Sequence, residues 1–306
     1  MNRFLTFAAS AALAAISATA AFAGSGDGSF EMIERGRNLA TLGDCAACHT
    51  APGGKPYAGG VPIETPFGRL VGANITPDVE TGIGTWTLDD FQRAMSEGIA
   101  KGGYHLYGAM PFNAYTKVSK EDNAAIWAYL QSLQPVSNAV EANQLPFPFN
   151  IRTSLYAWNF LNFTQGEFVA DPSKSAEWNR GAYLVEGLGH CGTCHTPKTL
   201  TGGDVAGAAL KGGVVDSWLA PDITGNAHTG IGSWTVDEIT QYLKTGSNRY
   251  DVASGPMAEE VEKSSQHWAD ADLKAVATYL KATDPGDAKA PEANPPNTTL
   301  CSAPMN

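Results

Sequence analysis

The chain has little charge and little of it is basic. Asp, Glu, Lys and Arg make up 17% of 306 residues, and 20 basic residues face 31 acidic ones, for a net charge of −11. Such a balance disfavours nucleic acid and anionic lipid surfaces as partners, while a basic patch on a protein partner remains compatible with it. Long apolar runs are also missing. After the first 23 residues nothing approaches the roughly 18–20 consecutive apolar residues of a membrane span. Strand-rich alternation is scarce, which argues against a thioredoxin-like βαβ unit, and no signalling segment is evident, which disfavours a redox or gas sensor. Cysteine is sparse too, with five in all. What remains, 43% hydrophobic residues on a chain long enough for two compact domains, suits a folded globular protein.

Four of the five cysteines fall in one motif used twice. Cys45-Ala46-Ala47-Cys48-His49 returns 146 residues later as Cys191-Gly192-Thr193-Cys194-His195. C-x-x-C-H is the attachment sequence of c-type haem. Its thiols, one helical turn apart, can add to the two vinyl groups of a porphyrin, and the adjacent histidine can reach the iron. A four-cysteine zinc site would not need a histidine after each pair. The expected cofactors are therefore two covalently bound haem c groups, on Cys45 and Cys48 and on Cys191 and Cys194.

The start of the chain agrees. Arg3 precedes the apolar run Phe4 to Ala15, and Ala21-Phe22-Ala23 has the small-x-small form of a cleavage site. Residues 1–23 read as a secretory signal, with an uncleaved anchor as the alternative. Covalent haem attachment is in general extracytoplasmic, so a periplasmic location is expected.

The repeat extends well beyond the motif. Thr81-Gly82-Ile83-Gly84-Thr85-Trp86-Thr87 recurs as Thr229-Gly230-Ile231-Gly232-Ser233-Trp234-Thr235, Asn74-Ile75-Thr76 as Asp222-Ile223-Thr224, and Arg35-Gly36 as Arg180-Gly181, all at offsets of 145 to 148. The spacing predicts a duplicated all-α unit. Each copy should hold a first helix (about 30–42 and 176–188), the haem turn, and an irregular Gly- and Pro-rich loop. A helix capped by Thr87 or Thr235 should follow, then a closing helix from about Ser119 or Asp270. Gly36 and Gly181 inside the first helices cost about 1 kcal/mol each, which predicts a close helix crossing with Tyr129 and Tyr279 against them. The expected organisation is a first haem-attaching domain at 24–134, a packed apolar linker at 135–178, and a second domain at 179–283. Residues 284–306, proline-rich and carrying the unpaired Cys301, are expected to form a disordered tail.

The sixth iron ligand decides what such a haem can do, because a methionine sulfur raises its potential and suits it to electron transfer. Met110 follows His49 by 61 residues and Met257 follows His195 by 62. Both are expected in loops just before a closing helix. Metal ligands are therefore expected to be His49 with Met110 and His195 with Met257. His105 rivals Met110, whereas His190, His228 and His267 read as surface or packing residues. Met95 reads as core. Arg69, Trp86 and Trp234 are candidates to donate to haem propionates.

Taken together, Gly43 to Thr50, Asn74-Ile75-Thr76-Pro77, His105 to Pro111, Leu145 to Arg152 and Ser175 to Gly181 resemble the periplasmic multihaem cytochrome c subunits of bacterial membrane-bound dehydrogenases, such as the alcohol and gluconate dehydrogenases. The resemblance runs from about Glu34 to Thr283. It implies cytochrome-c-like helical domains, His/Met ligation, and electron flow from a catalytic subunit toward quinone or a terminal oxidase. Two-haem relatives are similar to partners of molybdenum hydroxylases as well as of quinoprotein dehydrogenases. Alcohol-dehydrogenase-type subunits carry a third haem domain, and this chain stops where that domain would begin. The expected function is thus a dihaem electron-transfer subunit without catalysis of its own. It would take electrons from a dehydrogenase catalytic subunit and pass them to a downstream acceptor; membrane association would come through a partner. The alternative is a dihaem enzyme of the peroxidase or thiosulfate dehydrogenase type, which would need an open iron.

Overall fold

The computed structural model describes residues 30–283. Residues 1–23, read above as a secretory signal, residues 24–29 and the expected tail with Cys301 lie outside them. The fold is helix-rich, and its elements come in two similar series. The first is α1 (Phe30–Leu42), α2 (Cys45–His49), a hairpin of β1 (Pro62–Thr65) and β2 (Gly68–Val71), α3 (Leu88–Glu97), α4 (Phe112–Tyr115) and α5 (Lys120–Ser132). After α6 (Ser154–Asn162) comes the second: α7 (Ala176–Tyr183), α8 (Gly192–His195), a hairpin of β3 (Lys211–Val215) and β4 (Trp218–Asp222), α9 (Val236–Thr245), α10 (Pro256–Lys263) and α11 (Asp270–Ala282).

Two details depart from the sequence reading. The Gly- and Pro-rich loops are not wholly irregular. Each folds back as an antiparallel hairpin, with Ile63 opposite Leu70 and Val214 opposite Leu219. The helix expected over 176–188 is α-helical only to Tyr183 and continues as one π-helical turn, Leu184–Leu188.

The glycines explain the crossing in each series. A Cβ on Gly36 would sit 1.8 Å from the Ala125 carbonyl oxygen and 2.8 Å from Tyr129 Cβ. On Gly181 it would sit 2.0 Å from the Ala275 oxygen and 2.7 Å from Tyr279 Cβ. Only a residue without a Cβ lets α1 lie on α5, and α7 on α11, at this distance. The preceding arginines make the same bond in both places: Arg35 Nη2 donates to Asp122 Oδ1 at 2.5 Å, and Arg180 Nε to Asp272 Oδ1 at 2.8 Å. Both capping boxes form, Thr87 with Asp90 and Thr235 with Glu238, so α3 and α9 start at the expected residues.

The two series share one core. Leu39 and Leu42 of α1, Val118, Leu184, Val185 and Leu188 of the π-helical turn, and Trp268 belong to a single buried cluster. Polar contacts reinforce it. Tyr183 donates to Asp122 Oδ2 at 2.5 Å, and Ser264 Oγ donates to the Thr41 carbonyl at 2.8 Å.

Residues 135–178 therefore do not separate the two series, which meet directly. This segment lies along the outside. Its Gln144 exchanges backbone hydrogen bonds with Arg69 of β2, at 3.0 and 2.8 Å. Phe163 packs edge-on against Phe112 with centroids 5.1 Å apart, and Phe168 against Tyr183 at 5.8 Å. Other apolar side chains of α6 face solvent, with Phe160 87% exposed and Tyr156 58%. The reason is geometric: α6 has apolar residues on all sides and only one face has anything to lie on.

Candidate functional site

Each C-x-x-C-H run forms one short helical turn, α2 or α8, entered through a left-handed residue. Asp44 has φ 47° and His190 has φ 36°. The reversal turns the first helix of each series directly into its motif. Within the turn the two cysteines stand three residues apart and thus on one face. All four are free and partly exposed. The hairpins press on the turns from behind: a Cβ on Gly72 would lie 1.8 Å from the Cys48 carbonyl oxygen, and one on Gly213 2.5 Å from that of Cys194.

The histidines are held alike. His49 Nδ1 lies 2.6 Å from the Ala73 carbonyl oxygen and His195 Nδ1 lies 2.7 Å from that of Pro221. A carbonyl can only accept, so Nδ1 carries the proton and Nε2 keeps its lone pair. Burial pushes both imidazoles below the usual histidine range, the carbonyl bonds opposing it, so the neutral ligand form is favoured. The next residues match too: Thr50 Oγ1 accepts from Tyr57 N–H at 3.0 Å and Thr196 Oγ1 from Leu210 N–H at 3.1 Å.

The thiols are unsuited to dithiol chemistry. Burial, with Asp44 adding to it, pushes Cys45 up to about 12 and Cys48 up to about 11. Burial also takes Cys191 up to about 12. A redox C-x-x-C needs the opposite shift to make a thiolate. Among the described residues no group of three or more His, Cys, Asp or Glu side chains converges as a metal shell would, so the pairs do not join into a four-cysteine site. Free thiols one turn apart, followed by an imidazole of fixed tautomer, fit a covalently attached haem at each turn.

The two methionines sit in different settings. Met110 is in a turn just before α4, packed against the shared core. Met257, expected in a loop, is instead the second residue of α10, because Gly255 (φ 54°) and Pro256 start that helix earlier than its polar sequence suggests. Met95 is 3% exposed on α3, a core residue as read from its spacing.

The remaining candidates have these surroundings. His105 Nδ1 lies 2.7 Å from Asn159 Nδ2, and its ring meets Tyr156 edge-on at 4.2 Å. His190 stacks on Tyr115 at 5.6 Å, while His228 and His267 are exposed. Arg69 Nε is 3.5 Å from Glu64 across the first hairpin. Trp234 stacks face to face on Tyr250 at 5.2 Å, and Trp86 packs against the core.

Sequence reasoning missed what lies between the two motifs. Tyr115, five residues after Met110, donates to the Gly43 carbonyl at 2.7 Å and stacks on His190, so one buried ring touches the entrance of both turns. Asp44 and Glu260 lie there as well, each with a buried oxygen lacking a partner. Burial, then Glu260, raises the Asp44 carboxyl to about 8, and burial raises Glu260 to about 7. The recurrence of a polar residue just before the first cysteine was the available signal for Asp44; Glu260 had none.

Residues 33–134 match the family model for cytochrome c. The chain is 37% identical over 255 residues to a dihaem cytochrome c-type protein of Cereibacter sphaeroides, covering 81% of this chain and 84% of that protein. It is 46% identical over 273 residues to a subunit of the nicotinate dehydrogenase of Pseudomonas putida, covering 89% of this chain and 23% of that one. It is 44% identical over 253 residues to the fructose dehydrogenase cytochrome subunit of Gluconobacter japonicus, covering 82% and 52%. The chain thus spans from about a quarter to about half the length of these last two.

Proposed function

Since the chain belongs to the family of c-type cytochromes that includes cytochrome c subunits of alcohol, gluconate and fructose dehydrogenases, we propose that it is an electron-transfer subunit with two haem c groups, working between a dehydrogenase catalytic subunit and a downstream acceptor. Residues 24–134 and 179–283 would be its two cytochrome c domains. The partner would be of quinoprotein or molybdenum type, and the setting the periplasm. No helix among the described residues is long and apolar enough to cross a membrane.

One observation carries this reading: both motif histidines have Nδ1 tied to a backbone carbonyl, which leaves the Nε2 lone pair available to a metal. Cys45, Cys48, Cys191 and Cys194 would hold the porphyrins, His49 and His195 the proximal sides of the irons, and Met110 and Met257 the distal sides. A haem so bound supplies a one-electron couple and no open coordination position. The protein's part is to fix the imidazole tautomers and hold both attachment turns in one core so that their separation cannot drift.

The test is the purified holoprotein. Two haems per chain, with a methionine–iron charge-transfer band in the far red of the oxidised spectrum, are expected. Met110→Ala and Met257→Ala should each remove part of that band and let carbon monoxide bind one reduced haem. One haem per chain, or carbon monoxide binding to both haems of the unaltered protein, would overturn the proposal.

A further inference from the structure

We propose that the segment from Leu145 to Phe163 pins the turn that presents Met110, and that Arg152 is the positioning residue through which it acts. The inference rests on the reading of Met110 as a ligand and goes beyond it.

The turn has little to hold itself. It follows Gly102 and Gly103, both at positive φ, and contains Gly108. Its own backbone ties are short-range: Ala100 N–H to the Tyr104 carbonyl at 3.0 Å, Leu106 N–H to that of Gly98 at 2.7 Å, Met110 N–H to that of Tyr107 at 3.0 Å, and Phe112 N–H to that of Met110 at 2.7 Å. A thioether is a weak, neutral ligand, so its bond to a metal survives only if the backbone carrying it is already in place.

The 145–163 segment supplies that order. Arg152 Nη1 donates to the His105 carbonyl at 2.6 Å. The guanidinium also lies over two rings of the same stretch, 4.6 Å from the Tyr107 centroid and 5.1 Å from that of Tyr104. One planar cation thus grips three residues just ahead of Met110, a task its shape and delocalised charge suit. Asn159 meets His105 Nδ1 at 2.7 Å, and Trp158 packs edge-on to Phe112, two residues past Met110. The segment is itself anchored at both ends. Gln144 pairs with Arg69 of β2, and Trp158 Nε1 donates to the Thr201 carbonyl at 2.8 Å. In the second series Met257 stands instead in the first turn of α10, behind Pro256 and Gly255.

The experiment uses the full holoprotein with both haems attached. Arg152→Ala should weaken the far-red methionine band by up to about half, since one of the two haems would lose its sulfur. One reduction potential should fall while the other stays, and carbon monoxide should bind one reduced haem per chain. Arg152→Lys, which keeps a cation and a donor, should recover most of the band. An Arg152→Ala protein with the full band and both potentials unchanged overturns the proposal. Met110→Ala is measured beside it. If that variant is silent, the ligand reading has failed; if it responds and Arg152→Ala does not, only the pin has failed. Should Arg152→Ala not accumulate, Asn159→Ala is expected to give the same loss in smaller measure, and a full band there overturns the proposal equally.

Discussion

Replacing Gly36 by alanine tests the packing that holds each attachment turn in place. The new Cβ would lie 1.8 Å from the Ala125 carbonyl oxygen. That oxygen belongs to the backbone of α5 and cannot swing aside, so α1 and α5 must part by about 1.5 Å to reach an ordinary contact. Parting them loosens Leu39, Ala40 and Ile126, each at most 4% exposed. Overpacking of this kind costs about 3 kcal/mol at the upper end of its usual range, and alanine's better helix propensity returns about 1 kcal/mol. The net loss is about 2 kcal/mol, or a fall of about 3–4 °C in Tm for a chain this size. Gly181→Ala, with 2.0 Å to the Ala275 oxygen, should lose a similar amount. Gly166→Ala is the control: nothing lies within 4 Å of its Cβ position and its φ is not positive, so it should be neutral or stabilising by about 0.5 kcal/mol. Thermal unfolding followed by circular dichroism, with haem content confirmed, measures all three. If Gly36→Ala and Gly181→Ala melt within about 1 °C of Gly166→Ala, close crossing is not why those glycines are there.

Two further outcomes follow from the contacts between the series. Tyr183→Phe removes the hydroxyl that donates to Asp122 Oδ2 at 2.5 Å while leaving Arg35 on the same carboxylate; a loss of about 1.5–3 kcal/mol is expected for a bond to a charged group, read as a lower urea midpoint, and an unchanged midpoint refutes it. Asp44→Asn probes the buried carboxyl between the motifs. Its ordinary value of 3.8 is raised in the folded chain to about 8, so the folded state binds the more protons across that window and stability falls as pH rises through it. The variant should flatten that fall and gain on the order of 1–3 kcal/mol at pH 8 relative to pH 4; parallel stability–pH curves for the two proteins would show that Asp44 ionises normally.

What the sequence determined by itself was local or repeated. The two C-x-x-C-H turns, the helix-capping threonines Thr87 and Thr235, and the glycines Gly36 and Gly181 under tyrosines could all be read in advance. Each depends on residues within a few positions, or on a duplication that shows the same answer twice. Tertiary structure decided where distant segments meet. The sharing of one core by the two series, Tyr115 and Asp44 lying between the motifs, and Arg152 reaching back to the Met110 turn left no periodic trace, because such contacts join single residues far apart in the chain. The apolar linker shows the limit most plainly. Its composition called for burial, but hydrophobicity has no direction, and only packing decided that the series would meet each other while α6 lay outside. The same holds for Met257. Spacing put it 62 residues after His195, and the backbone turn at Gly255 then placed it in the first turn of a helix and not in a loop.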